Sequence, residues 1–178
     1  MNITVYLGSN PGNNPLYLKW AEEIGSRIGA AGHTMIYGGA NDGLMGAAAN
    51  AVKANGGRVI GVIPGFFAHR SHNGLDQLIA VTGMPERKQK MMEMGDAFLA
   101  LPGGPGTLEE ISEVISALRI GLISCPCVIF SPDGYYDDLK HLYEKMTAEG
   151  FLRREELTRV VFAETVEEVM RALGCRKE

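Results

Sequence analysis

A chain of 178 residues with 46% hydrophobic side chains can bury one proper core and leaves little room for a second, so residues 1–178 read as a single domain. The formal charge of -4, from 17 basic and 21 acidic residues, gives no electrostatic footprint for DNA or RNA, and phosphate recognition should be local and aimed at a small molecule. Cys125, Cys127 and Cys175 are odd in number, and the Cys-Pro-Cys lacks the second pair that a zinc ribbon or redox motif requires, so they read as buried or idle thiols in a reducing compartment.

The chain begins almost at once with the strand-like Ile3-Thr4-Val5-Tyr6-Leu7. With no charged leader and no apolar run long enough to cross a bilayer, the expectation is a cytoplasmic protein with no membrane partner. Further strand-length apolar runs follow near 34–38, 58–63, 78–82, 97–101, 126–130 and 159–163. Helical periodicity falls at 15–31, 43–55, 84–95, 107–121, 135–149 and 165–173, with a weaker segment near 66–76. Asn13-Asn14-Pro15 starts the first helix, Gly32 ends it, and Gly56-Gly57 closes the second. Such alternation predicts an α/β fold: a Rossmann-like, doubly wound parallel sheet of about seven strands flanked by helices. The unusual loops Gly8-Ser9-Asn10, Gly38 to Gly43, Pro64-Gly65 and Pro102-Gly103-Gly104 each follow a strand. In a parallel sheet they share one edge, where such sheets bind ligands at a topological switch point.

Leu101-Pro102-Gly103-Gly104-Pro105-Gly106-Thr107-Leu108-Glu109-Glu110 carries the most information. Glycines let backbone N–H groups approach an anion, and the helix that follows adds unpaired N–H groups and the positive end of a dipole, so the segment reads as a phosphate cradle beside an acid. Thr107-Leu108-Glu109-Glu110 equally matches a capping box, with Thr107 as N-cap and Glu110 at the third helical position. No lysine-bearing G-x-x-x-x-G-K-[ST] loop occurs, and the first strand-to-helix turn lacks G-x-G-x-x-G.

Gly38-Gly39-Ala40-Asn41-Asp42-Gly43-Leu44-Met45-Gly46 is a second glycine-rich turn, whose Gly46 lies inside the next helix at a cost of about 1 kcal/mol relative to alanine. Ligand contact and tight helix-on-sheet packing explain it equally well. Arg87 and Lys88 sit in the first turn of a helix, where cations oppose the macrodipole, so either an anionic partner or a solvated charge run accounts for them. His69-Arg70-Ser71-His72 has no third ligand at a recognisable spacing, and no metal or cofactor is assigned.

Taken in order, these segments resemble the LOG (LONELY GUY) family, cytokinin-activating phosphoribohydrolases once loosely labelled lysine decarboxylases. The resemblance covers nearly the whole chain. It rests on Pro102-Gly103-Gly104-x-Gly106-Thr107-x-x-Glu110, on Gly38-Gly39 through Gly43-Leu44-Met45-Gly46, and on Glu86-Arg87-Lys88 followed by Met91; Gly8-Ser9-Asn10-Pro11-Gly12-Asn13 and Gly134-Tyr135-Tyr136-Asp137 also look like family segments. Met84-Pro85 departs from the histidine or glutamine that the family commonly places before its basic pair. The resemblance implies a dimeric Rossmann-like enzyme that hydrolyses the N-glycosidic bond of N6-substituted adenosine 5'-monophosphates, releasing free base and ribose 5-phosphate, with AMP as a further candidate substrate. It assigns catalysis to Arg87 and Glu110. The substrate or its phosphate would lie against Gly103, Gly104, Gly106 and Thr107, with Lys88 and Glu109 positioning it and Gly8, Ser9, Gly39, Gly43 and Met45 as further contacts.

Two other readings stand beside this one. A carrier of a phosphorylated pterin such as the molybdenum cofactor would grip phosphate with the same loop and do no chemistry, and a structural domain would use Glu110 only as a cap. A lysine decarboxylase would need a Schiff-base lysine in a recognisable site, and none is evident.

Overall fold

The computed structural model describes residues 1–174, so the expectation for Cys175 lies outside the described residues. Seven strands, β1 (Asn2–Tyr6), β2 (Thr34–Tyr37), β3 (Arg58–Pro64), β4 (Gln77–Val81), β5 (Ala97–Ala100), β6 (Cys127–Phe130) and β7 (Val160–Ala163), form one sheet in the order β4-β3-β2-β1-β5-β6-β7. Every pairing is parallel. Five α-helices lie between strands and a sixth follows the last: α1 (Leu16–Ala30), α2 (Gly43–Ala54), α3 (Met84–Met94), α4 (Pro105–Arg119), α5 (Asp137–Ala148) and α6 (Val166–Ala172). The expected α/β, Rossmann-like architecture is the one observed.

Both faces of the sheet are covered, which is why its central strands are apolar without interruption. Along β1, Ile3, Val5 and Leu7 enter a core shared with α1, α2 and α6, whereas Tyr6 enters the opposite core with Met91 of α3 and Ile111 and Val114 of α4. Thr4 also points that way, and its hydroxyl donates to the Met91 carbonyl at 2.9 Å. Strand order reverses at β1, which pairs with β2 on one side and β5 on the other. The loops leaving β1 and β5 therefore diverge from adjacent strands at the switch point.

Turn chemistry sets most boundaries as expected. Asn14 caps α1 by accepting from Leu16 N at 3.0 Å, and Gly32, at φ 68°, closes it with a bond from His33 N to Ile28 O. The 66–76 segment departs from expectation: only Gly65–Arg70 turns, as a short 3-10 helix, and Ser71 then bridges to Ala40. Phe66 and Phe67 are both exposed there, so the segment lacks the buried apolar stripe that would hold an α-helix. Helix α4 begins at Pro105, two residues before the expected start.

Helices α1 and α2 pack at close range because α1 presents Gly25 and Gly29 to the α2 backbone. A methyl group at Gly25 would collide with the Ala48 carbonyl oxygen, and one at Gly29 with that of Val52. Gly29→Ala should therefore destabilise the fold despite alanine's helix-propensity advantage of about 1 kcal/mol, because overpacking against backbone costs up to about 3 kcal/mol. Chemical denaturation should show a net loss of about 1–2 kcal/mol, and a stabilised variant would contradict the close contact.

Candidate active site

Three loops close on one another at the switch point. Gly8 N donates to Pro102 O at 3.1 Å, Leu101 N to Tyr6 O at 2.9 Å, and Leu44 N to Gly8 O at 3.1 Å. Gly43 adopts φ 53° and lies so close to the β1 loop that an added Cβ would sit 2.6 Å from Asn10 N. The loops enclose a cavity of about 680 Å³ lined by Gly8 to Asn14 from the first, Leu44 and Met45 from the second, and Pro102 to Thr107 from the third. Arg87, Glu109, Glu110, Met84, Tyr17 and Tyr135 complete the wall.

The phosphate-loop reading and the capping reading separate here. Gly104 is the N-cap of α4, Pro105 its first residue, and Thr107 its third, so Thr107 is not the cap that the capping box requires. Glu110 lies at the sixth helical position and turns its side chain to Arg87 instead of back to the backbone. Pro105 explains the earlier start: its fixed φ suits the first helical position, where an N–H would have no helical partner anyway. Gly103, Gly104, Gly106 and Thr107 consequently have backbone N–H groups with no partner among the described residues, all on the cavity wall. Gly103 must be glycine because a side chain would collide with the Thr107 hydroxyl.

Arg87 and Glu110 form a buried ion pair, Nη1 to Oε1 at 2.5 Å, with only 7% and 6% of the two residues exposed. Arg87 Nε donates to Val62 O at 3.0 Å, and Nη2 lies where a Gly38 side chain would be. Gly38 is thus a site residue absent from the expected contacts; its signal is the double glycine Gly38-Gly39, of which only Gly39 was expected to touch substrate. Among the described residues Glu110 Oε2 has no hydrogen-bond partner, and Glu110 lines the cavity. Burial pushes the Glu110 carboxyl above the ordinary glutamate range, and the charge and hydrogen bond of Arg87 pull it back only in part. Tyr6, buried in the core below, is likewise pushed up, first by burial and then by the Glu110 charge.

The other expected residues divide. Gly8, Ser9, Met45 and Glu109 line the cavity with the phosphate loop. Lys88 does not: it pairs with Glu109 at 2.8 Å and Glu113 at 3.1 Å, joining α3 to α4. Gly39 and Gly43 also lie off the wall and shape the loop behind it, Gly39 at φ 78° against Gly61 and Gly43 against the β1 loop. Gly46 packs against its own loop: an added Cβ would strike the Asn41 carbonyl of the preceding loop. His72 accepts from Gly74 N through Nδ1 and bonds Asn50 Oδ1 through Nε2, so it is committed to its own loop. Tyr17 was not anticipated, because a tyrosine on an amphipathic helix carries no signal of a cavity.

The family model described as "possible lysine decarboxylase" matches residues 45–173. A cytokinin riboside 5'-monophosphate phosphoribohydrolase of Rhodococcoides fascians is 40% identical over 175 residues, covering 97% of this chain and 88% of that protein. The chain belongs to the LOG family. A rice (Oryza sativa subsp. japonica) LOG protein of the same name is 38% identical over 94% of this chain and 70% of its own length. LOG3 of Arabidopsis thaliana is 36% identical over 96% of this chain and 80% of its own. Among solved structures, the molybdenum cofactor binding protein of Rippkaea orientalis superimposes with a TM-score of 0.73 over 97% of this chain and 94% of that one. At 23% identity that likeness shows a shared fold. Within the LOG family framework, the phosphate-loop motif and the Arg87–Glu110 pair are brought together at a single cavity.

The opposed influences on Glu110 give a signed prediction. Titration of its carboxyl carbon by NMR should show a midpoint above about 4.3, the ordinary glutamate value. In Arg87→Gln the cationic pull is gone and burial persists, so the midpoint should move higher still. A downward move would mean that burial is not the dominant influence.

Proposed function

We propose that this protein is a phosphoribohydrolase that cleaves the N-glycosidic bond of N6-substituted adenosine 5'-monophosphates, with plain AMP as a second substrate, giving free base and ribose 5-phosphate. The observation that carries this reading is the buried Arg87–Glu110 pair opening onto the same cavity as the unpartnered N–H groups of the phosphate loop. The names of the LOG relatives support the same reaction.

In this reading the 5'-phosphate lies at the N-terminus of α4, held by the N–H groups of Gly103, Gly104, Gly106 and Thr107 and by the Thr107 hydroxyl. Cleavage passes through an oxocarbenium-like state. As the C1'–N9 bond breaks, its electron pair leaves with the base; water oxygen bonds to C1', and its proton goes to Glu110 and from there to the base, which departs neutral, while the carboxylate also stabilises positive charge on the ribose. Arg87 keeps Glu110 in place and offsets negative charge on the departing base. Met45 and Met84 supply an adaptable apolar wall for an N6 substituent.

Among the described residues no lysine stands on the cavity wall, so a decarboxylase using a Schiff-base lysine finds no support there. A pterin carrier would need only the phosphate grip, and a carboxylate beside a phosphate would weaken it; Glu110 therefore favours the hydrolase. We further propose that the protein is a cytoplasmic homodimer. Exposed apolar side chains at the end of α4, Ile120 at 68% and Leu122 at 74%, support a self-association surface.

Chromatography of wild-type and Glu110→Gln protein incubated with isopentenyladenosine monophosphate and AMP tests the reaction. The wild type should release free base and ribose 5-phosphate. Glu110→Gln should lose roughly 10²–10⁴-fold in rate, the usual contribution of a positioned acid–base group. Its fold should survive, because glutamine still offers Arg87 an acceptor oxygen; an undiminished rate would remove Glu110 from the mechanism. Gly38→Ala tests the pair from the opposite side by displacing the guanidinium. A roughly hundredfold slower enzyme is expected, as for other small misplacements of catalytic groups, and wild-type turnover would show that the Arg87 position is not critical.

A further inference from the structure

The phosphate loop is held from outside through its carbonyl groups. Leu101 O accepts from the Tyr136 hydroxyl at 2.9 Å, Pro102 O from Gly8 N at 3.1 Å, Gly103 O from the Tyr135 hydroxyl at 2.7 Å, and Gly104 O from Leu108 N at 3.2 Å. A peptide unit is planar and trans, so fixing one carbonyl fixes the next N–H in the opposite direction. The Pro102 carbonyl thereby orients the Gly103 N–H, and the Gly103 carbonyl orients the Gly104 N–H. The first of these carbonyls is held by backbone. The second is held by one side chain, on a residue flanked by glycine whose own neighbourhood is open: an added Cβ at Gly104 would meet nothing within 4 Å. Without that hydroxyl, little else would fix the 103–104 peptide.

Tyr135 is itself placed with care. The turn before it, Pro132–Gly134, puts Asp133 at φ 51°, the one non-glycine residue with positive φ among the described residues, and Gly134 at φ 74°. Ser131 Oγ accepts from Tyr136 N at 2.8 Å and steadies the start of α5. The Tyr135 ring packs edge-on against Tyr17, with centroids 5.6 Å apart, and Tyr17 in turn backs Gly12 of the β1 loop. One side chain thus touches both walls of the cavity mouth.

We infer that Tyr135 is a positioning residue for the substrate phosphate, aiming the Gly104 N–H through the Gly103 carbonyl and so favouring phosphorylated over unphosphorylated nucleosides. The inference rests on the phosphoribohydrolase reading for the identity of the ligand. It does not require that the ligand be cleaved.

Tyr135→Phe removes the hydroxyl and keeps the ring against Tyr17. Calorimetry with AMP, ribose 5-phosphate and adenosine, together with base release from AMP, provides the test. AMP and ribose 5-phosphate should each bind about tenfold more weakly, the effect of losing one well-placed hydrogen bond. Adenosine affinity should be unchanged, and KM for AMP should rise with kcat nearly constant. The Gly104 amide resonance, displaced by inorganic phosphate in the wild type, should respond less in the variant. Unchanged AMP affinity would overturn the inference, and so would a parallel loss of AMP and adenosine, which marks a general structural role. Tyr136→Phe, whose hydroxyl holds a carbonyl followed by a proline with no N–H, should lower thermal stability and affect phosphate affinity less than Tyr135→Phe. Wild-type protein that binds AMP but releases no base would defeat the hydrolase reading while leaving the Tyr135 comparison intact; wild type that binds neither AMP nor ribose 5-phosphate would defeat both.

Discussion

The buried pair between Arg87 and Glu110 is the constraint around which the rest of the site is arranged. Each ion loses hydration worth several kcal/mol on burial, and their attraction offsets that cost only when geometry is good and the remaining donors are occupied. The fold draws on separate elements to assemble the pair: α3 supplies Arg87, α4 supplies Glu110, Val62 of β3 accepts from Nε, and Gly38 after β2 leaves room for Nη2. The basic residues in the first turn of α3, unfavourable for the helix dipole, both find carboxylates on α4, Arg87 in the interior and Lys88 at the surface. The surface pair adds little, because exposed ion pairs are largely screened. The interior pair leaves an ionisable group facing the cavity, which a purely structural use would not require.

Several glycines in this chain mark close approach of the backbone to a neighbour. Gly38 makes room for a guanidinium, Gly43 for the β1 loop, Gly46 for the Asn41 carbonyl, and Gly103 for the Thr107 hydroxyl. The first three shape the site from behind its visible surface, whereas Gly103 also lines the cavity. Three loops from non-adjacent stretches of chain can interlock only where their backbones nearly touch, and the topological switch point, at which those loops leave neighbouring strands, makes this feasible. The glycine-rich segments are thus evidence of a site even where the individual glycines do not line it.

The fold was legible because its signals are local: strand-length apolar runs, helical periodicity, and turn residues such as Asn14 and Gly32 acting over a few positions. The sequence also singled out the glycine-rich loop, Arg87 and Glu110, which share one cavity wall, although their pairing came from a family resemblance and not from spacing. Tertiary assignments were hidden. A capping box and a phosphate loop share the residues from Thr107 to Glu110, and only a helix start at Pro105 separates them. The short turn at Gly65–Arg70 shows the complementary failure, where apolar residues suggested a helix that nothing in the core exists to hold. Tyr135 and Tyr17 meet through an aromatic contact between a loop and a distant helix, which no periodicity could announce.

The electrostatic layout has a further consequence for substrate binding. Thr107 and Glu110 are three residues apart on one helix, about 4.5 Å along its axis, so a phosphate at the helix N-terminus would lie near the carboxylate. Two anions at that range repel, and a bound phosphate would push the Glu110 carboxyl further upward, away from the ionised form that accepts a proton. Among the described residues no lysine lines the cavity to balance this; Arg87 is the cationic residue there, and it contacts Glu110 directly. The division is therefore chemical as well as spatial. In the proposed reading, neutral backbone N–H groups and the dipole of α4 would hold the phosphate, leaving the guanidinium to keep the carboxylate usable beside it.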